Sequence, residues 1–213
     1  MPDFKIEDLY QGMVAGIDEA GRGPWVGPVV AAVVIVKNRQ LSPILLKELN
    51  DSKKLTAHKR EILYKELFCE QENGKVLIGI GEASSLEIDE LNILQATFLA
   101  MSRAVAALPM CPDMALIDGN RTPKDFICPT KAVVKGDSLS VSIAAASIVA
   151  KVYRDKQMSD LAQQYPYYGF EKNAGYGTKQ HIEGISRYGI IPQHRKSYKP
   201  IRDFLMNNTG AQK

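Results

Sequence analysis

The chain has 213 residues, 45% hydrophobic and 24% charged, with a formal net charge of +3; this suits one α/β domain with a small appendage and excludes disordered and fibrous classes. The N-terminal MPDFKIEDLY lacks a signal-peptide pattern and no apolar run is long enough to span a bilayer, so a soluble cytoplasmic protein without a membrane partner is expected. Residues 1–150 carry 16 Lys and Arg against 19 Asp and Glu, whereas residues 151–213 carry 11 against 5, a basic third suited to a polyanionic partner.

In chain order, Met13 to Ile17 predicts a short buried strand ending at Asp18, and the valine-rich Val26 to Val36 predicts a second strand reached through a Gly/Pro turn. Thr56 predicts the cap of a helix running to about Glu70, with Leu63 and Leu67 inward, and Lys75 to Gly81 predicts a third strand. Ser84 and Glu87 form a capping-box pattern ahead of one longer helix, in which Leu94, Phe98, Met101, Val105 and Leu108 repeat as core residues until Pro109. DMALIDGN predicts a strand ending at Asp118, and Lys131 to Val134 a further short strand before Gly136 and Asp137. SLSVSIAAASIVAKVYRDKQMSDLAQQ then predicts an alanine-rich helix whose small side chains permit close packing on a sheet or a ligand. Last come GYGT, a helix from about Thr178 to Tyr188 stopped by Gly189, and a basic tail. This order describes a mixed sheet flanked by helices.

Asp18, Glu19, Asp118 and Asp137 fall at strand ends or adjacent loops, where function concentrates in α/β sheets. Two unit charges about 4 Å apart repel by roughly 1 kcal/mol in water and about 4 kcal/mol at an effective dielectric of 20, so a carboxylate cluster requires bound cations or protonation. Oxygen-only ligands select magnesium or manganese. The three histidines, His58, His181 and His194, are not spaced as a zinc pair, and no nucleophile elbow, Walker A loop or dinucleotide fingerprint is present. Metal-assisted phosphoryl transfer is the chemistry left. Taken singly, each acid also reads as a turn or helix cap, Asp137 as the N-cap of the alanine-rich helix. Cys69, Cys111 and Cys128 lack Cys-x-x-Cys spacing and read as reduced structural thiols.

The blocks GIDEAGRGPWVGPVVAAVV, DSKKL, LIDGN, KGDSLSVSIAAASIVAKVYRD and GYGT, in that order over residues 16 to 178, resemble ribonuclease HII, the type 2 ribonuclease H family. The resemblance implies a ribonuclease H-like α/β fold: a five-stranded mixed sheet flanked by helices, with a helical C-terminal extension. It divides the chain into a catalytic domain over 1–165 and a basic extension over 166–213 packed on the same domain. It implies an endonuclease that cuts the RNA strand of RNA/DNA hybrids and nicks duplex DNA 5′ of embedded ribonucleotides, leaving a 3′-hydroxyl and a 5′-phosphate. The family's four metal-binding catalytic acids correspond to Asp18, Glu19, Asp118 and Asp137, holding two Mg2+ or Mn2+ ions about 3.5 to 4 Å apart.

The family reads the ribose 2′-hydroxyl with a Gly-Arg-Gly backbone, here Gly21, Arg22 and Gly23, a place where absence of Cβ allows close approach. Its GYGT tyrosine, here Tyr176, stacks on the deoxyribose 3′ of the ribonucleotide. Lys53, Ser147 and Lys151 match positions near the substrate backbone, and Ser147, Lys151 and Arg154 share one helical face, predicting a phosphate-contact stripe. Trp25 stands where the family usually has a smaller aliphatic residue and is expected to pack against the tail. The sister family, ribonuclease HIII, carries an extra domain before its first acid, whereas 17 residues precede Asp18. FLMNNTGAQK shows no convincing sliding-clamp peptide, leaving clamp binding open, and a monomer is the default expectation. Two other readings stand beside this one: a metal-dependent DNA nuclease of the same fold superfamily, which GRG and GYGT speak against, and a non-catalytic nucleic-acid binding module, which the full set of acids speaks against.

Overall fold

The structure is a computed structural model that describes residues 1–209 of the chain. Its most deeply buried strand is β2 (Val29–Val36), where Val29, Ala31, Val33 and Ile35 join one buried cluster and Val30, Ala32 and Val34 another. A strand apolar on both faces needs a layer of helices on each side. Strands β1 (Val14–Ala20), β3 (Val76–Ala83), β4 (Met114–Asp118) and β5 (Thr130–Val133) complete a five-stranded sheet of order β3-β2-β1-β4-β5. β1 runs antiparallel to β2 but parallel to β4, with Ile17 opposite Ile117, so Asp18 and Asp118 stand side by side toward the C-terminal ends of adjacent parallel strands.

One face is covered by α4 (Ile93–Ala106), whose Ala96, Ala100, Met101, Ala104 and Val105 are buried against the odd-numbered residues of β2. The other face is covered by α1 (Pro43–Glu48), α2 (Ala57–Glu72) and α5 (Val141–Gln164). α5 lies close because its contacting residues are small and because Gly16 has no side chain: a Cβ there would sit 2.2 Å from the Ile143 amide nitrogen. Its start is fixed by the Ser140 cap on Ile143 and by the buried Glu7 carboxylate, which accepts from the Ser142 amide and from both serine hydroxyls. A carboxylate at a helix N-terminus also complements the helix dipole.

The C-terminal segment forms α6 (Phe170–Asn173), α7 (Lys179–Tyr188) and α8 (Lys199–Thr209), and buries Tyr168, Phe170, Ile185, Ile191 and Ile201 with Met158 of α5 and Val26. Trp25 packs here, against Gly177 and tilted on His181 at a centroid separation of 5.5 Å.

Several boundaries differ from the sequence expectations for identifiable reasons. β1 continues through Asp18 and Glu19 to Ala20, because β2 pairs with it over that whole length. The helix after the capping box breaks into α3 (Ser85–Leu91) and α4 at Asn92, whose φ is 70° and whose side chain caps Leu94 and Gln95. The cap of α5 is Ser140, not Asp137, which lies in a preceding 3-10 turn (Gly136–Ser138). The basic tail contains the helix α8. The FLMNNTGAQK stretch begins inside α8, and its last four residues, 210–213, lie outside the described residues.

The close seat of α5 makes Gly16→Ala a damaging change despite its small size. The added methyl meets backbone, which cannot rotate away, so a loss of about 3 kcal/mol is expected in a urea-unfolding measurement.

Candidate active site

Strand alternation sends Asp18 toward the α5 side of the sheet and its neighbour Glu19 toward the α4 side. Asp18, Asp118 and Asp137 can each place a carboxylate oxygen within 4.8 Å of the others, although 118 and 137 come from different elements than 18. Asp118 Oδ1 accepts the Gly136 amide at 2.7 Å and the Asp137 amide at 3.4 Å, so it also holds the turn that delivers Asp137. Asp18 Oδ1 accepts the Glu19 amide at 2.7 Å. Glu19 stays outside this trio, its Oε1 3.1 Å from Arg22 Nη1.

Burial, then the charges of Glu19 and Asp118, hold the Asp18 carboxyl well above the ordinary carboxylate range. Burial followed by Asp118 and Asp51 raises Asp137, and burial raises Glu19 against the opposing pull of Arg22. Burial would lower the Lys53 ammonium, but Asp18, Asp51, Asp137 and Asp118 together outweigh it and raise its pKa. Its Nζ stands 3.9 Å from Asp137 Oδ2. One exposed lysine does not neutralise three crowded carboxylates. A hard divalent cation fits this donor set, which is all oxygen and short of positive charge.

A cavity of about 330 Å³ opens before the acids and gathers nearly all the other residues singled out in the sequence: Gly21, Arg22, Gly23, Lys53, Ser147, Lys151 and Tyr176, with Asp18 and Glu19. Tyr176 is exposed, and its ring edge lies against Gly23, where a Cβ would stand 3.1 Å from Cε1. Lys151 is half-buried and pairs with Asp155 at 2.6 Å. Ser147 is buried, its Oγ accepting the Ser52 amide at 3.2 Å, which moors the DSKKL loop to α5. Arg60 supports that loop from below through the carbonyls of Ser52 and Leu55.

Arg154 departs from the expected phosphate stripe. It is buried, and Nε, Nη1 and Nη2 donate to the carbonyls of Pro28, Ala174 and Val26, each at 3.1 Å; burial and the nearby Arg195 lower its pKa to about 10. The sequence reading also missed Arg195, His181 and His194. Arg195 is buried and donates to the carbonyls of Gly21, Arg22, Gly27 and Pro28 at 2.6 to 3.1 Å. In the sequence it is one more cation in a basic tail; the only available signal was that two of three histidines sit close to it and to GYGT.

A family model described as Ribonuclease HII matches residues 15–201. A ribonuclease HII of Rhodospirillum rubrum is 54% identical over 205 residues, covering 96% of this chain and 92% of that protein. Among solved structures, the ribonuclease H2 of Pyrococcus horikoshii superposes with a TM-score of 0.73 at 28% identity, covering 92% of this chain and 98% of the other. The ribonuclease HII of Archaeoglobus fulgidus, solved in complex with PCNA, gives 0.69 at 25% identity over 88% and 95%.

Acids whose folded-state pKa is raised favour the folded state at low pH, and that contribution is lost as pH climbs through the raised values; a bound cation offsets the loss. Calorimetry is therefore expected to show that magnesium or manganese raises the melting temperature, by an increment larger at pH 8 than at pH 5. At a hundredfold excess over Kd the gain amounts to about 2.7 kcal/mol. Asp118→Asn is expected to remove most of it.

Proposed function

The chain belongs to the ribonuclease HII family and is a ribonuclease H, and on that premise we propose that it nicks duplex DNA on the 5′ side of embedded ribonucleotides as well as cutting the RNA strand of hybrids. The products are a 3′-hydroxyl and a 5′-phosphate. The observation that carries this reading is the shared cavity: the Gly21 to Gly23 backbone and Tyr176 touch one another and open onto the same space as Asp18 and Glu19. In this reading a backbone that distinguishes ribose from deoxyribose works beside groups suited to hydrolysis, and the shared cavity supports it.

Asp18, Glu19, Asp118 and Asp137 would hold two magnesium or manganese ions. Such ions lower the pKa of water and balance charge on the phosphate. The chain's own residues do the selecting and orienting. The Gly136 and Asp137 amides aim the Asp118 carboxylate. Lys53, beside Asp137 and exposed, meets the substrate phosphate as the duplex enters. Lys151 exchanges Asp155 for a backbone phosphate, and Ser147 acts through the Ser52 amide that it holds. The Arg22 and Gly23 amides reach the 2′-hydroxyl, and Tyr176 lies over the deoxyribose that follows. Residues 1–165 form the catalytic body in this reading, and 166–213 a basic extension that shapes the duplex site.

The partner is an RNA/DNA hybrid or ribonucleotide-containing duplex, met by a cytoplasmic monomer. The PCNA contact belongs to the Archaeoglobus relative, and we assign no clamp contact to this chain. Among the described residues no helix is long and apolar enough to cross a membrane.

The test is cleavage of a labelled DNA duplex carrying one ribonucleotide, beside the same duplex in all-DNA form, with magnesium or manganese and with EDTA. Cutting is expected only of the first and only with metal; equal cutting of both sinks the reading. Asp118→Asn is expected to reduce turnover roughly a thousandfold, while the duplex Kd stays within about threefold, because a metal ligand and not a phosphate contact is lost. Tyr176→Ala is expected to lower kcat/KM on the single-ribonucleotide duplex about tenfold, the equivalent of about 1.4 kcal/mol, with long hybrids little affected. Equal losses on the two substrates would count against junction sensing.

A further inference from the structure

The segment between α7 and α8 runs antiparallel beside Trp25 to Gly27: the Gly27 amide donates to Gln193, the Arg195 amide to Trp25, and Val26 bridges His194. Two consecutive residues of this strap, His194 and Arg195, reach in different directions, each to one of the two elements that face the substrate.

Arg195 Nη2 donates to the Gly21 carbonyl at 2.6 Å and Nη1 to the Arg22 carbonyl at 3.0 Å; Tyr198, through its hydroxyl, donates to the Arg22 carbonyl as well. In a trans peptide the C=O and the following N–H point opposite ways. Drawing the carbonyls of Gly21 and Arg22 inward onto a buried guanidinium therefore turns the amides of Arg22 and Gly23 outward. No protein group among the described residues accepts from either amide.

His194 reaches Tyr176 through His181. The Ile191 amide stands 2.9 Å from His194 Nδ1, the two Nε2 atoms are 3.1 Å apart, and His181 Nδ1 is 3.0 Å from the Tyr176 carbonyl oxygen. The Tyr176 carbonyl can only accept, and His194 Nδ1 is nearer the donating Ile191 amide, at 2.9 Å, than the Ile191 carbonyl oxygen, at 3.3 Å; these contacts favour the order Ile191 N–H to His194 Nδ1, His194 Nε2–H to His181 Nε2, His181 Nδ1–H to Tyr176. In that order both rings are neutral. They lie buried among Trp25, Tyr168 and Phe170, and burial lowers His181 and brings His194 to about 4.

We propose that His194 and Arg195 are positioning residues for substrate recognition, Arg195 for the ribose, by aiming the Gly21 to Gly23 backbone, and His194 for the junction, by holding Tyr176 against Gly23 through a neutral histidine pair. The proposal rests on the functional reading above. Neither residue touches the carboxylates, so each acts on recognition at a distance from the chemistry.

The experiment measures steady-state cleavage by the full chain of two labelled duplexes, one with a single ribonucleotide in DNA and one a uniform RNA/DNA hybrid. His194→Phe, which keeps an aromatic ring but no donor, is expected to lower kcat/KM about tenfold on the single-ribonucleotide duplex and less than about twofold on the hybrid. Added to Tyr176→Ala it is expected to cost less than a further twofold or so, since both remove one contact. His194→Gln, whose amide can donate to His181, is expected to restore the selectivity. Arg195→Lys, which keeps the charge and loses the fork, is expected to lower both substrates about tenfold, because both present a 2′-hydroxyl.

Equal losses on both substrates for His194→Phe, or full additivity with Tyr176→Ala, overturn the role of the histidine pair. Unchanged cleavage by Arg195→Lys overturns that of the arginine. Should His194→Phe not fold, imidazole 15N NMR of the intact protein at pH 7 decides: the proton on Nδ1 of His181 and on Nε2 of His194 supports the relay, and any other tautomer or a charged ring overturns it. A wild-type chain unable to cut the single-ribonucleotide duplex refutes the functional reading instead, which separates the two failures.

Discussion

Repulsion among three carboxyl groups is the force that the surrounding architecture has to contain. Asp18, Asp118 and Asp137 come from a strand, a parallel neighbouring strand and a turn, and they converge only because those elements are held rigidly. The parallel pairing of β1 with β4 brings two of the acids side by side. The third arrives on a turn that Asp118 itself hydrogen-bonds. Rigidity comes from the helix behind them. Since α5 rests its first turn directly on Gly16, the backbone two residues before Asp18 cannot retreat when the acids are ionised. A site of this kind is costly without cations and well organised with them.

The same strand explains the division of labour between neighbours. Alternation sends Asp18 into the trio and Glu19 to the opposite face, where Arg22 pairs with it. Glu19 and Arg22 line both the 330 Å³ cavity and a second cavity of about 490 Å³ toward α4, so the pair forms part of the wall between them. A single dipeptide therefore serves the charged cluster on one side and the Gly21 to Gly23 loop on the other.

Behind that loop lie two buried guanidinium groups, each donating to main-chain carbonyls. Arg154 and Arg195 hold the carbonyls of Gly21, Arg22, Val26, Gly27, Pro28 and Ala174. Carbonyl oxygens are a compatible lining for a desolvated cation, since a fork of fixed donors meets several acceptors at once. The arrangement explains why glycine is needed at position 21: its φ is 94°, and a Cβ there would lie 2.0 Å from Arg154 Nε. It also unites the ends of the chain, because the strap at residues 193–198 shapes a loop at residues 21–28.

Periodicity and capping patterns were enough to place the sheet strands, the Thr56 and Ser84 caps and the alanine-rich helix, because these depend on neighbours within a turn or a pleat. The clustering of Asp18, Asp118 and Asp137 was legible for a related reason, since crowded carboxylates at strand ends imply a cation wherever they meet, whereas Glu19 stands outside the cluster and pairs with Arg22. The break at Asn92 was less so, since a positive φ depends on how two helices pack and not on local spacing. Arg154 and Arg195 were the least legible. A cation on a helix face or in a basic tail looks the same in a sequence whether it meets phosphate or main-chain carbonyls, and which it meets is settled by what lies above it. The chemistry available to this chain was thus written in its local order of residues. How closely those residues converge, and which others hold them in place, was decided only by tertiary packing, because burial and long-range hydrogen bonding join positions more than 150 apart.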